Sequence, residues 1–188
     1  LLKQVYRIRH KNTINILIYH QVLAMPDPMR PFEPTEQDFD WQMKLLSRYF
    51  TPISLDEALE GINNNRIPDN AVVVTFDDGY LNNLTLAQPI LEKYSIPATI
   101  YVATGFCSGK NMWNDRIINL FRNIQKKSLI IDDEIIQLDA VEQRRIEANK
   151  RLMQLKYLTL DERIGRVNQW YKENNVEEDM PMMMAPEQ

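Results

Sequence analysis

Two adjacent carboxylates, Asp77 and Asp78, stand between an apolar run and a glycine in the stretch Ala71-Val-Val-Val-Thr-Phe-Asp-Asp-Gly-Tyr. Ionised aspartate is a poor strand residue and is costly to bury without a partner. A pair of them closing such a run therefore calls for a chemical reason. Neighbours on a strand point to opposite faces. Where the backbone begins to turn, the two side chains can take different jobs. One can bind a cation while the other accepts a proton from water. That division suits metal-assisted hydrolysis, in which the metal polarises a carbonyl and acidifies its bound water. Aspartate is a weak base, but it can hold and orient such a water. Asp-Asp-Gly can equally cap the next helix or form an Asx-turn. The elements around the pair weigh against that plainer role.

Val72 to Phe76 form a β-branched and aromatic run, suited to a strand buried on both faces. In open α/β sheets and α/β barrels, active sites lie at the C-terminal ends of such parallel strands. Gly79 permits a positive φ just past the pair. A helix is expected over about 83–94, with Pro89 kinking it or lying near a shortened start. Ala98–Ala103 is the next strand. Strand, helix and strand make a βαβ unit with parallel neighbours and a right-handed crossover.

Upstream, Ile14–Tyr19 reads as the first strand and ends at His20, on the rim expected for Asp77. Pro26, Pro28, Pro31 and Pro34 mark an extended loop. A helix follows over Glu36–Tyr49, with Thr35 as N-cap, Asp38 at its third position, and Phe39, Met43 and Leu46 on one face. Ser54 starts a second helix expected to end near Gly61. Downstream, Trp113 opens a helix reaching about Lys126. Ser128–Ile131 and Glu134–Leu138 form a hairpin around Asp132-Asp133. Helices are expected over Val141–Tyr157 and Thr159–Lys172. The stretch of about 112–175 reads as a helical insertion and not as another βαβ repeat. The methionines Met180, Met182, Met183 and Met184 read as adaptable packing.

The chain has 188 residues, enough for one full hydrophobic core. Its 44% hydrophobic and 26% charged residues are ordinary for a globular domain. A net charge of −4 argues against a nucleic-acid partner. The single cysteine, Cys107, excludes an intrachain disulfide and a Cys-rich zinc site. No apolar run approaches the ~20 residues of a membrane span. No signal peptide is visible in a chain that begins with Leu. Localisation is left between the cytoplasm and the cell envelope, and protein partners are unknown.

Thr75-Phe-Asp-Asp-Gly-Tyr resembles the first motif of the polysaccharide deacetylases, the NodB-homology domains of carbohydrate esterase family four. Ile16-Leu-Ile-Tyr-His-Gln-Val resembles the opening strand of many members, and Phe39–Leu59 the segment that follows it. Pro89–Phe106 is similar to their next helix and strand. The likeness runs from about Ile14 to Phe106 and returns more weakly over Met180–Gln188. It implies an α/β fold, a partial distorted (β/α) barrel carrying the helical insertion. It implies hydrolysis of N-acetyl, sometimes O-acetyl, groups from a carbohydrate, with release of acetate. By matching motif, Asp77 would be the general base and Asp78 a ligand of a divalent metal, commonly zinc. His20, Tyr80 and Thr104 would line the site. Trp113 is weighed as a further sugar-facing aromatic, though packing suits it better.

The family completes its metal with two histidines from a His-x-x-x-His motif, and a later Arg-x-Pro-Tyr segment and a further His assist. Here the only histidines are His10 and His20, and neither motif occurs. A catalytic zinc takes about three protein ligands, so Asp78 alone is not a site. The chain is therefore expected to be the N-terminal part of a longer deacetylase: an extension over 1–13, then an incomplete domain over 14–188. By itself it should bind metal weakly and show little activity. Two alternatives stand beside this. One is a non-catalytic carbohydrate-binding or interaction module on the same fold. The other is a glycosidase, whose carboxylates lie ~5 Å or more apart across the bond and come more naturally from separate strands.

Overall fold

A computed structural model describes residues 13–123, 125 and 127–187. The basic N-terminal stretch with His10, the expected helix end at Lys126, and Gln188 lie outside the described residues. The chain divides into two compact units. The first holds the described residues up to Pro26, then Phe32–Ser108, and those from Met182 onward. The second holds Asp27–Pro31 and Gly109–Pro181.

The first unit is built on a parallel sheet. Its strands are β1 (Asn15–Tyr19), β2 (Thr51–Pro52), β3 (Ala71–Phe76) and β4 (Ala98–Ile100). All six residues of β3 are buried. β1 runs along one edge of β3, from Asn15 opposite Val72 to Tyr19 opposite Phe76. The other edge is shared by β2, beside Ala71 and Val72, and β4, beside Val74 to Phe76. Three helices and a π-helical turn complete the unit: α1 (Glu36–Tyr49), α2 (Leu55–Asn64), the turn Asn83–Ala87, and α3 (Gln88–Lys93).

The alternation along β3 explains its double burial. Val72, Val74 and Phe76 pack with Phe39, Met43 and Leu46 of α1 and Ile90 and Leu91 of α3. Ala71 and Val73 pack with Ile53 and with Ala58 of α2. Thr75 is also buried, and its hydroxyl donates to the Leu17 carbonyl at 3.2 Å. At the strand ends Tyr19 stacks on Phe76, with centroids 5.5 Å apart, and meets Phe39 edge-on at 5.1 Å.

Both upstream helices begin with a reciprocal capping box. Thr35 and Asp38 form one, Ser54 and Glu57 the other. α2 runs past Gly61 to Asn64, against the expected stop. The reason is that Asn65 takes the left-handed conformation that ends the helix, at φ 51°. Gly61 instead serves close packing, since a Cβ there would lie 3.3 Å from the Arg66 carbonyl oxygen. β4 is shorter than expected, yet strand-like bonds continue past it: the Tyr101 N–H donates to Phe76 O at 2.8 Å. Pro89 falls in the first turn of α3, where its missing N–H costs least.

The second unit contains α4 (Trp113–Asn123), the antiparallel hairpin β5 (Ser128–Ile131) and β6 (Glu134–Gln137), α5 (Val141–Leu155) and α6 (Leu160–Asn174). Asp132 and Asp133 make the two-residue hairpin turn, both with positive φ. The core joins Ile117, Leu120 and Phe121 of α4 to Leu129 and Ile131 of the hairpin and to Val167 and Trp170 of α6. Asn174 locks α6 to β5 by donating to Ile130 O at 2.7 Å and accepting from Ile130 N–H at 2.8 Å. Asp27–Pro31, read from sequence as part of a proline-rich loop, belongs to this unit. Met29 enters its core, and Arg30 makes a buried 2.6 Å ion pair with Asp115.

The fold is thus α/β. Its parallel sheet is not closed into a barrel among the described residues, and helical insertions accompany it, as in a partial, distorted (β/α) barrel. Among the described residues no helix is long and apolar enough to cross a membrane.

Candidate active site

The C-terminal ends of β1, β3 and β4 meet at the carboxylates. The Asp77 N–H donates to Tyr19 O at 2.8 Å, extending the β1–β3 pairing past Phe76. That register sets His20, exposed at the end of β1, beside Asp77 along the strand ends. The Ala103 N–H donates to Asp78 O at 3.0 Å, which brings Thr104 to the same rim. Thr104 is exposed and begins a short 3₁₀ turn. Asp77 and Asp78 are both half-buried.

The turn itself is unusual. Asp78 has φ 73° and Gly79 φ 79°, two left-handed residues in succession. Aspartate tolerates this region better than most side chains, and glycine takes it freely. A Cβ on Gly79 would also lie 3.1 Å from Val102 Cγ1, so glycine is required there on two counts. The sequence announced Gly79; nothing in it announced the conformation of Asp78.

Tyr80 follows, buried at 3% exposure. It pairs with Met183 in an antiparallel bridge. The Leu81 N–H donates to Met182 O at 2.8 Å, and the Met184 N–H to Gly79 O at 3.0 Å. Met182–Met184 therefore act as a strap on the acidic turn, with Met183 and Met184 buried. The strap was not legible in the sequence, because its partner lies a hundred residues upstream. The Asn83 N–H donates to Tyr80 O at 2.9 Å, and Asn82 Nδ2 donates to Oε1 of the buried Gln21 at 3.2 Å. These carboxamides also support the turn and also escaped the sequence reading.

Two residues weighed earlier have structural surroundings. Trp113, half-buried in the second unit, carries the Arg163 guanidinium 4.9 Å above its ring. The Cys107 thiol approaches Ala103 O at 3.8 Å.

The described residues do not fit a complete metal site. No group of three His, Cys, Asp or Glu among them is placed to hold an ion. Asp78 can supply one ligand, short of the about three that a catalytic zinc takes.

Residues 64–131 match the polysaccharide deacetylase family. That stretch contains β3, the acidic turn and β4. These observations support a polysaccharide deacetylase-type domain. A poly-β-1,6-N-acetyl-D-glucosamine N-deacetylase of Staphylococcus aureus is 29% identical over 110 residues, which are 58% of this chain and 37% of that protein. The enzyme of the same name from Staphylococcus epidermidis is 26% identical over 115 residues, 61% of this chain and 39% of its own length. Among solved structures, Streptococcus pyogenes deacetylase PplD in complex with acetate is 31% identical, covering 50% of this chain and 44% of that one, with a TM-score of 0.44. The matched part of this chain spans well under half the length of these two curated relatives.

Proposed function

We propose that this domain belongs to a carbohydrate deacetylase that hydrolyses N-acetyl, or O-acetyl, groups and releases acetate. The observation that carries the proposal is the carboxylate pair, set on a strained turn at the end of a strand buried on both faces. Asp77 is the general base. It takes a proton from water as the water oxygen attacks the acetyl carbonyl carbon. The tetrahedral adduct then expels the sugar amine, or alcohol, which leaves with a proton from a general acid. Asp78 would supply one ligand to a divalent metal, zinc being the ion that the family resemblance implies. Further metal ligands and a general acid are needed beyond the groups that the described residues bring together. His20 and Thr104 line the substrate side of the rim, and Tyr80 closes its floor. By the names of the two staphylococcal relatives, a polymer of N-acetylglucosamine is the first substrate to try.

The test is acetate release from N-acetylglucosamine oligomers by the intact protein, before and after chelation and after zinc is restored. Release that stops on chelation and returns with the metal supports the proposal. Turnover indifferent to chelation contradicts the metal role.

A second reading is a non-catalytic carbohydrate-binding module on the same fold. It is favoured by the lack of a three-ligand cluster among the described residues. It predicts sugar binding by the intact protein with no acetate released under any metal loading.

A further inference from the structure

The π-helical turn after the acidic motif buries a carboxamide that no described residue satisfies. Asn83 is 1% exposed, and neither its Nδ2 nor its Oδ1 has a hydrogen-bond partner among the described residues. Next to it in the chain, Asn82 spends Nδ2 on Gln21 and leaves a buried Oδ1 unpartnered. Other orphaned atoms occur in this molecule, on Arg116, Arg122, Glu147, Arg151 and Glu173. Each of those side chains still keeps a charged or polar partner, for Glu147 the 3.7 Å ion pair with Arg151. Asn83 keeps none. An unpaired buried polar group costs about 1–3 kcal/mol, and native interiors rarely tolerate a whole amide in that state.

We propose that Asn83 is an internal hydration site, holding ordered water behind the acidic turn. The chemistry fits one water well. Asn83 Oδ1 can accept from a water and Asn83 Nδ2 can donate to one, within the roughly three hydrogen bonds that a buried water makes, and Asn82 Oδ1 is a further unpartnered acceptor on the preceding residue. The helix is open at this point. Gln88 N–H bonds to Asn83 O across five residues, a wider ring than the α-helical one, and Pro89 brings no N–H to the ladder. Water inserted into the ladder is a recognised origin of such distortions. Because the Asn83 N–H also holds Tyr80 O, the hydrated amide sits on the residue that closes the turn. The inference does not depend on the deacetylase reading.

The test has two measurements on the intact protein. A high-resolution crystal structure should show water within hydrogen-bond distance of the Asn83 carboxamide. A protein atom in that place, or a dry amide, overturns the proposal. Asn83→Leu keeps the volume and removes the polar ends. If water satisfies the amide, the variant should lower the folding equilibrium constant roughly tenfold or more. An unchanged or raised unfolding midpoint would mean that the amide had no partner to lose. If Asn83→Leu does not fold, the crystallographic result still decides.

Discussion

Gly79 and Asp78 set the geometry on which the chemistry depends. Gly79→Ala combines a strained left-handed φ with a 3.1 Å approach to Val102 Cγ1. It should cost more than about 1 kcal/mol, read as a lower urea midpoint. Asp78→Asn should cost far less, since asparagine tolerates positive φ as well as aspartate does. Metal affinity of the intact protein should fall in that variant while the unfolding midpoint hardly moves. The residue types at this site were legible in the sequence, because the buried β-branched run before the two carboxylates and the βαβ pattern after them weigh against a plain turn or cap. The left-handed Asp78 was not. Aspartate is compatible with several backbone regions, and the conformation is held by Ala103 N–H donating to Asp78 O and Met184 N–H donating to Gly79 O.

At the scale of elements, local chemistry was the readable part. Three helices start with the same device, a hydroxyl at the N-cap and an acid three residues on: Thr35 with Asp38, Ser54 with Glu57, Thr159 with Glu162. Hydrogen bonds from the capping residues hold all three carboxyls below their ordinary values. Folded values below unfolded ones mean that this stabilisation is present above the unfolded pKa, near 4, and is lost as pH falls through the folded values. Unfolding midpoints should therefore drop on acidification from about pH 5 to 3. In Thr35→Ala, which removes one cap at a cost of about 1 kcal/mol, that drop should be smaller. An identical pH profile in the variant would contradict the assignment. The strap of Met182–Met184 and the docking of Asp27–Pro31 escaped the sequence for one reason. Both are pairings between distant segments with no local pattern to announce them.

For the molecule as a whole, the open sheet is the governing feature. Among the described residues β1 pairs only with β3, and Ile16 and Ile18 are 53% and 62% exposed. An unpaired edge strand carrying exposed isoleucines invites association, and lysine at such positions suppresses it. Ile18→Lys should raise the soluble yield of this 188-residue chain without lowering its unfolding midpoint. A zinc titration of the same chain should show no tight stoichiometric site, because the described residues place no third ligand near Asp78. The α/β class and the βαβ unit around the motif were legible, since β3 and β4 carry their pattern in consecutive residues. The assignment of distant segments to two compact units was not, because it depends on contacts that composition does not encode.

The most direct test concerns Asp77. Acetate release from N-acetylglucosamine oligomers should be compared between the intact protein and its Asp77→Asn variant, with bound zinc measured in both. Loss of a general base predicts a fall of roughly 10²–10⁴-fold in turnover, with zinc content unchanged. Full turnover in the variant would contradict the assignment of Asp77 as the base.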